Sequence, residues 1–380
     1  MTKTDRLVNH TTKIGSGQTP SGGYRAYSVS GIPLIRSQNV LMGSFSDNGL
    51  VFISKEIDES MNVSRVQCGD VLLNITGASI GRVCVVPDHV CPANVNQHVC
   101  IIRCDETLVP SYVATLLASP AFQSLIWDRQ AGGTRQALTK QMVENFELPL
   151  VPREQQIEIS ARLTAQLNEF ETARQAARTQ LSEISSLAGA IVMDTIRNFQ
   201  TKPYLLGDVL DEVKHGIGAS WAEHPVLGAT RDGLAPAKDQ PGKMAHKYKP
   251  VTPGTVFYNP MRILIGSIAF VDDDDTPGIT SPDYVALRGK PGRVDSRWFY
   301  YWLRSYLGAQ CILSLARGAV RERMLFNRLA EGKIDLPSPE VQEKASRALL
   351  ELKPLQRALK SKLAEIDLLP QKILAQAFEM

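Results

Sequence analysis

Residues 153–199 hold no proline and a single glycine, Gly189. An apolar seam runs through them: Leu163, Leu167, Phe170, Ala177, Leu181, Ile184, Ala188 and Ile191. The steps alternate mostly between three and four, which predicts a helix laying one narrow stripe against a partner helix. Arg174 interrupts the stripe. Pro152 suits a first helical position, where a missing N–H is harmless, and Lys202-Pro203 follow the end. At about 1.5 Å per residue such a helix is about 70 Å long.

A helix of that length with one stripe needs a partner, and residues 339–379 offer one. Ser338-Pro339 reads as a cap and first turn. The apolar positions are Leu352, Leu355, Leu359, Leu363, Ile366, Ile373 and Ala377. Pro354 and Pro370 each remove a helical N–H, so a break or kink is expected at both.

The chain has 380 residues, 43% of them hydrophobic and 21% charged, enough for two or three domains with real cores. A net charge of +3 is compatible with nucleic acid without indicating it, so any basic surface must be local. No secretory signal and no run of membrane-spanning length is read. The six cysteines form no CxxC pair, and the expectation is a reducing cytoplasm with free thiols.

Before the long helix, short strand-like runs alternate with Gly, Pro and Asn, followed by a helical stretch. Residues 204–338 have the same texture. The two regions also align. Gly69-Asp70-Val71-Leu72 resembles Gly254-Thr255-Val256-Phe257, and Ile80-Gly81-Arg82-Val83 resembles Ile265-Gly266-Ser267-Ile268. Leu148-Pro149 matches Leu336-Pro337, and Leu181-Ser182-Glu183-Ile184 matches Leu363-Ala364-Glu365-Ile366. One near-constant offset relates all of them, which indicates duplication. The expected fold is α+β: two pseudo-symmetric globules separated by a pair of long antiparallel, coiled-coil-like helices. The boundaries fall at 1–152, 153–200, 201–338 and 339–380. Two similar heads at a set separation suit double-stranded DNA, whose equivalent groove faces recur about every 34–36 Å.

The chain resembles the specificity (S) subunit of Type I restriction-modification systems. Gly17-Gln18-Thr19-Pro20, Gly31-Ile32-Pro33-Leu34-Ile35-Arg36, Asn96-Gln97-His98 and Glu154-Gln155-Gln156 carry the likeness in the first half. Asn259-Pro260-Met261-Arg262 and Ser281-Pro282-Asp283-Tyr284-Val285 carry it in the second. The resemblance implies two target recognition domains and two conserved spacer helices. It implies a non-catalytic subunit that binds a bipartite DNA target with a nonspecific spacer. The implied partners are two methyltransferase (M) subunits and restriction/translocase (R) subunits, which would bind S-adenosylmethionine, ATP and Mg; the chain itself would hold no cofactor. The second copy departs from the pattern, having Gly216-Ile217-Gly218 without the Thr-Pro of the first. Two alternatives stand beside this reading: the recognition subunit of another restriction-modification architecture, or a two-headed protein-binding adaptor without nucleic acid.

No catalytic constellation is read. Asn259-Pro260-Met261 lacks the second proline and the aromatic that an adenine methyltransferase needs around a flipped base. No GxxxxGK[ST] loop is present. Cys84, His89, Cys91, His98, Cys100 and Cys104 are zinc-type ligands close in sequence. Against zinc, free cysteine commonly packs as a small apolar group, and the second copy has Ala269 and Ala286 near Cys84 and Cys100. Asp272 to Asp275 is expected to be a solvated hairpin turn.

Base reading needs paired donors and acceptors: Arg for guanine, Asn or Gln for adenine. The candidates in the first globule are Arg36, Gln38, Asn39, Asn74, Arg82, Asn96, Gln97 and His98, with Thr134, Arg135 and Gln136 on a Gly-rich loop suited to phosphate. In the second they are Arg231, Tyr258, Asn259, Arg262, Arg317, Arg321 and Arg323.

Overall fold

The computed structural model describes residues 4–130, 137–239, 241–316 and 323–378, except the side chains of residues 129 and 130. The chain divides into two compact units, residues 1–175 with 364–380 and residues 176–363. Each unit therefore takes part of both long helices, the central helix Arg153–Arg197 and the terminal helix Pro339–Phe378.

The first unit is built on an antiparallel sheet of β1 (Thr11–Ser16), β2 (Val71–Asn74), β3 (Val83–Val85) and β4 (Val99–Cys104), in the order β1-β4-β2-β3. Strand alternation divides its side chains between two cores. Val71, Leu73, Cys100 and Ile102 face the helices Pro110–Leu117 and Pro120–Gln130. Leu72, Cys84, Val99 and Ile101 join Ile35, Val66, Ala93 and Val95, which come from a second, smaller sheet.

The central helix docks on this unit through Gln156, which is 1% exposed. Its Nε2 donates to the carbonyls of Thr107 (3.0 Å) and Val151 (2.9 Å), and its Oε1 accepts from the Val109 amide (2.8 Å). Further along, Leu163 and Leu167 share the core with Ile373, Leu374, Ala377 and Phe378 of the terminal helix. Arg174 lies 3.9 Å from Asp367. Position 163 thus meets the region of 374 while 174 meets 367, so the segments run antiparallel. The charge that interrupts the seam has an acidic partner across it.

The second unit repeats the plan. Strands β5 (Leu210–Glu212), β6 (Thr255–Tyr258), β7 (Ile268–Val271) and β8 (Val285–Gly289) form an antiparallel sheet in the order β5-β8-β6-β7. Helices Ser296–Arg304 and Tyr306–Leu315 cover one face. The duplication reaches single atoms. Gln342 donates to the Arg293 (3.0 Å) and Pro337 (2.9 Å) carbonyls and accepts from the Asp295 amide (2.9 Å), as Gln156 does in the first unit. Gly69 and Gly254 share φ +85°, and Gly81 and Gly266 share φ +83°, values that favour glycine. Trp298 donates to the Thr195 hydroxyl (3.0 Å), tying the central helix to this core, where Ala188 and Val192 join Ala345, Leu349 and Leu352.

Three expectations need correction. The terminal helix is unbroken at Pro354 and Pro370. Each proline removes one backbone bond, but buried Leu352, Ile366 and Leu374 and the ion pairs at Lys353 and Arg357 hold the flanking turns in place. Leu355 is 55% exposed and lies off the seam. Residues 272–275 form a turn that is solvated only at Asp273 and Asp274. Asp272, 4% exposed, binds Arg297, with Lys353 Nζ 3.4 Å away. Asp274 and Asp275 bind Lys353 and Arg357, so the turn clamps the terminal helix to the second unit.

Among the described residues no helix is long and apolar enough to cross a membrane.

Candidate nucleic-acid interface

Antiparallel pairing brings Ser16, Asn74, Val83 and Val99 to one edge of the first unit's sheet. The loops that leave this edge, 17–20, 75–82 and 96–98, carry most of the polar residues singled out from the sequence. A Cβ on Gly17 would sit 1.8 Å from the Val95 carbonyl oxygen, so glycine is required there for the 17–20 loop to lie against residues 95–96.

Asn39 and Asn74 are fully buried and do not reach outward. Asn74 Nδ2 donates to the Ser37 carbonyl (2.8 Å), tying residues 37–40 to the β2–β3 hairpin. Asn39 donates to the Ser46 carbonyl (2.9 Å) and accepts from the Arg36 amide (3.0 Å). Asn96 is 8% exposed and accepts from the His98 amide (3.1 Å). These three are corrected from readers to staples, because a buried side chain cannot reach a base and their bonds run to neighbouring backbone; among the described residues Asn74 Oδ1 has no partner. Arg36 is half-buried; it donates to the Gly49 carbonyl (2.6 Å) and lies over the Tyr27 ring, 5.4 Å from its centroid.

The staples hold an outward-facing polar set. Gln38, Arg82 and Gln97 are exposed, and His98 is half-buried. The Thr19 hydroxyl donates to Gln97 Oε1. Gln97 Nε2 donates to His98 Nε2 (3.0 Å), which must accept; His98 Nδ1 then carries the proton and donates to the Thr76 hydroxyl. One hydrogen-bonded string therefore crosses three loops. Sequence reasoning missed the part played by Thr19 and Thr76. Thr19 lay inside the Gly-Gln-Thr-Pro motif, but Thr76 carried no signal, since its role depends on a loop distant in sequence. Thr134, Arg135 and Gln136 lie outside the described residues. Ala137, where description resumes, bridges to Thr76.

In the second unit the matching edge carries Asn259, Arg262 and the residues just before β8. Asn259 is half-buried and accepts from the Met261 amide (3.0 Å). Arg262, Arg231 and Arg323 are exposed, Arg323 3.2 Å from Asp283. Tyr258 is corrected: it is fully buried at the position of Leu73, and among the described residues its hydroxyl has no hydrogen-bond partner. Burial pushes its pKa well up, so it stays a neutral core side chain. Arg317 and Arg321 lie outside the described residues.

The cysteine and histidine residues do not converge. Cys84 and Cys100 face opposite sides of the sheet, and burial pushes each thiol up to about 12, far from the thiolate a metal needs. His89 pairs with Asp47 at 3.0 Å. Among the described residues no group of three His, Cys, Asp or Glu could hold a metal ion.

A duplicated α+β unit, each copy docked on long helices and presenting a loop-bearing sheet edge, is the class that fold and site define. Residues 12–178 match the family of the Type I restriction modification DNA specificity domain. The specificity subunit of the Type I restriction enzyme EcoBI of Escherichia coli is 29% identical over 170 residues, which are 44% of this chain and 35% of that protein. The match thus spans about a third of that relative's length. A chain from a structure addressing complex assembly and conformational transition of the type I R-M system has a TM-score of 0.64 at 17% identity, over 99% of this chain and 97% of its own. The S subunit of the Type I restriction-modification system from M. genitalium gives 0.54 at 13% identity, over 100% and 96%. The HsdS subunit from Thermoanaerobacter tengcongensis gives 0.50 at 18%, over 99% and 96%. The sequence match covers the first copy, and the likeness of fold extends through the second. Over residues 12–178 the chain is thus similar to the Type I restriction modification DNA specificity domain.

Proposed function

We propose that this chain is the DNA-reading, non-catalytic subunit of a Type I restriction-modification complex. It reads a bipartite duplex target with a nonspecific gap, one half-site per unit. It docks two methyltransferase subunits and the restriction subunits, and those partners hold S-adenosylmethionine, ATP and Mg. The observation that carries this reading is the twofold recurrence of one sheet edge. In the first unit that edge presents an amide, an imidazole and a guanidinium, the groups that pair with base edges and phosphates.

The test is duplex binding by the chain assembled with its methyltransferase partner, over a range of salt. Counterion release makes affinity fall steeply with salt if DNA is the ligand; no salt-dependent binding of any duplex rejects the reading in favour of a protein adaptor. Mapping the methylated adenines then identifies the target. Arg82→Ala is expected to weaken binding to all sequences and lower the salt slope by about 1. A variant with an unchanged slope removes Arg82 from the phosphate contacts.

Spacing gives a second measurement. Deleting one heptad from each long helix shortens the helical path by about 10 Å, the rise of about three base pairs. The preferred gap is expected to shrink by about that amount. An assembled deletion variant that keeps the parental gap refutes the helices as a ruler.

A further inference from the structure

The two units differ in the hairpins that their shared offset aligns. Residues 69–86 and 254–271 align without a gap, so the β2–β3 hairpin and the β6–β7 hairpin compare position by position. The first presents Thr76, Ser79 and Arg82 with Ile80 buried at 4% exposure. The second has Met261, Leu264 and Ser267 there, and Ile265 in place of Ile80 is 51% exposed. Met261 and Leu264 are likewise 57% and 50% exposed.

A second difference lies under the hairpin. In the first unit Gln123 fills the space, its Nε2 donating to the Gly81 carbonyl (2.9 Å). The equivalent residue is Ala309: both sit four residues after a buried serine, Ser119 or Ser305, and donate their amides to it. Alanine leaves a groove of about 260 Å³ lined by Ile263, Leu264, Ile268, Leu303, Ala309 and Leu313. Arg304 donates to the Gly266 (3.2 Å) and Ile268 (3.0 Å) carbonyls at its rim, and Arg262 is exposed on the same hairpin.

Resting on the DNA-reading function above, we propose that the second unit recognises thymine through its 5-methyl group, seated against Leu264 at the mouth of this groove, with Ile265 exposed beside it on the same hairpin. Thymine's methyl is the apolar group that base edges display in the major groove. An apolar surface set against any other base edge strips water from donors or acceptors and returns no partner. Arg262 and Arg304 complement the polyanion that brings the base there. The first unit, with its string of Thr19, Gln97, His98 and Thr76, reads by hydrogen bonds instead.

The experiment replaces thymine by deoxyuridine, which pairs identically and lacks only that methyl. The probe is the mapped target duplex, substituted in one half-site at a time, with the chain assembled with its methyltransferase partner. Binding is expected to weaken roughly fourfold per seated methyl in one half-site alone. The double variant Leu264→Ser with Ile265→Ser, both exposed positions, is expected to bind the thymine and deoxyuridine duplexes equally. Equal affinity of the native chain for both duplexes at both half-sites overturns the proposal. Discrimination that persists in the double variant also overturns it. If the native chain shows no discrimination and the variant fails to join the methyltransferase, the groove is a protein contact instead. Failure of any duplex to bind in a salt-dependent way rejects the DNA-reading function itself.

Discussion

Asp272→Asn lowers the stability of the second unit by about 3 kcal/mol, a drop of roughly 6–12 °C in melting temperature by scanning calorimetry. The carboxylate is 6% exposed and meets Arg297 and Lys353, themselves 12% and 16% exposed. Removing one charge leaves two buried cations with fewer partners, which is far more damaging than never having built the pair. The acid limb carries a second signature. Burial alone would raise Asp272, but the Arg297 hydrogen bond, the Asp273 amide and the nearby cations outweigh it and hold the carboxyl below its ordinary value of 3.8. The Lys353 hydrogen bond first, then Arg357, lowers Asp274 as well. A depressed folded pKa means the stabilisation is complete above the unfolded value and is lost as pH falls from about 3.8 through the folded value. The native chain therefore loses more stability below pH 4 than the Asn variant does. A shift under 2 °C, or parallel acid limbs, refutes the clamp.

Gln342→Leu is expected to destabilise the second unit by about 3 kcal/mol, and Gln156→Leu the first by a similar amount. Each glutamine is 1% exposed and satisfies three backbone groups at the first turns of a long helix. Leucine keeps the volume and leaves two carbonyls and one amide without partners. Hydrogen exchange reads the effect at single positions: the Asp295 amide exchanges faster in Gln342→Leu, and the Val109 amide in Gln156→Leu. Native-like protection of those amides would show that water or backbone adjustment replaces the side chain.

Much of the fold was legible in the sequence. The seam positions from Leu163 to Ile191 are all buried or half-buried, and the shared offset of the two halves reappears as one sheet order and as paired glycine conformations. The candidate site was legible only by neighbourhood. Residues near the sheet-edge loops were named, but Asn39, Asn74, Asn96 and Tyr258 face inward. A polar side chain beside a strand end has the same local signature whether it meets a base or a carbonyl from a distant loop.

Periodicity and duplication are properties of the chain read along itself, so the long helices, the two copies and their correspondence followed from the sequence. Which amides became staples, which hydroxyls joined His98, and why Asp272 clamps a helix were decided by tertiary structure. Those roles depend on pairs such as Asn74 with Ser37, Thr19 with Gln97 and Asp272 with Lys353. For Asn74 and Asp272 burial sets the outcome, because a polar group cut off from water bonds to what the folded chain brings beside it.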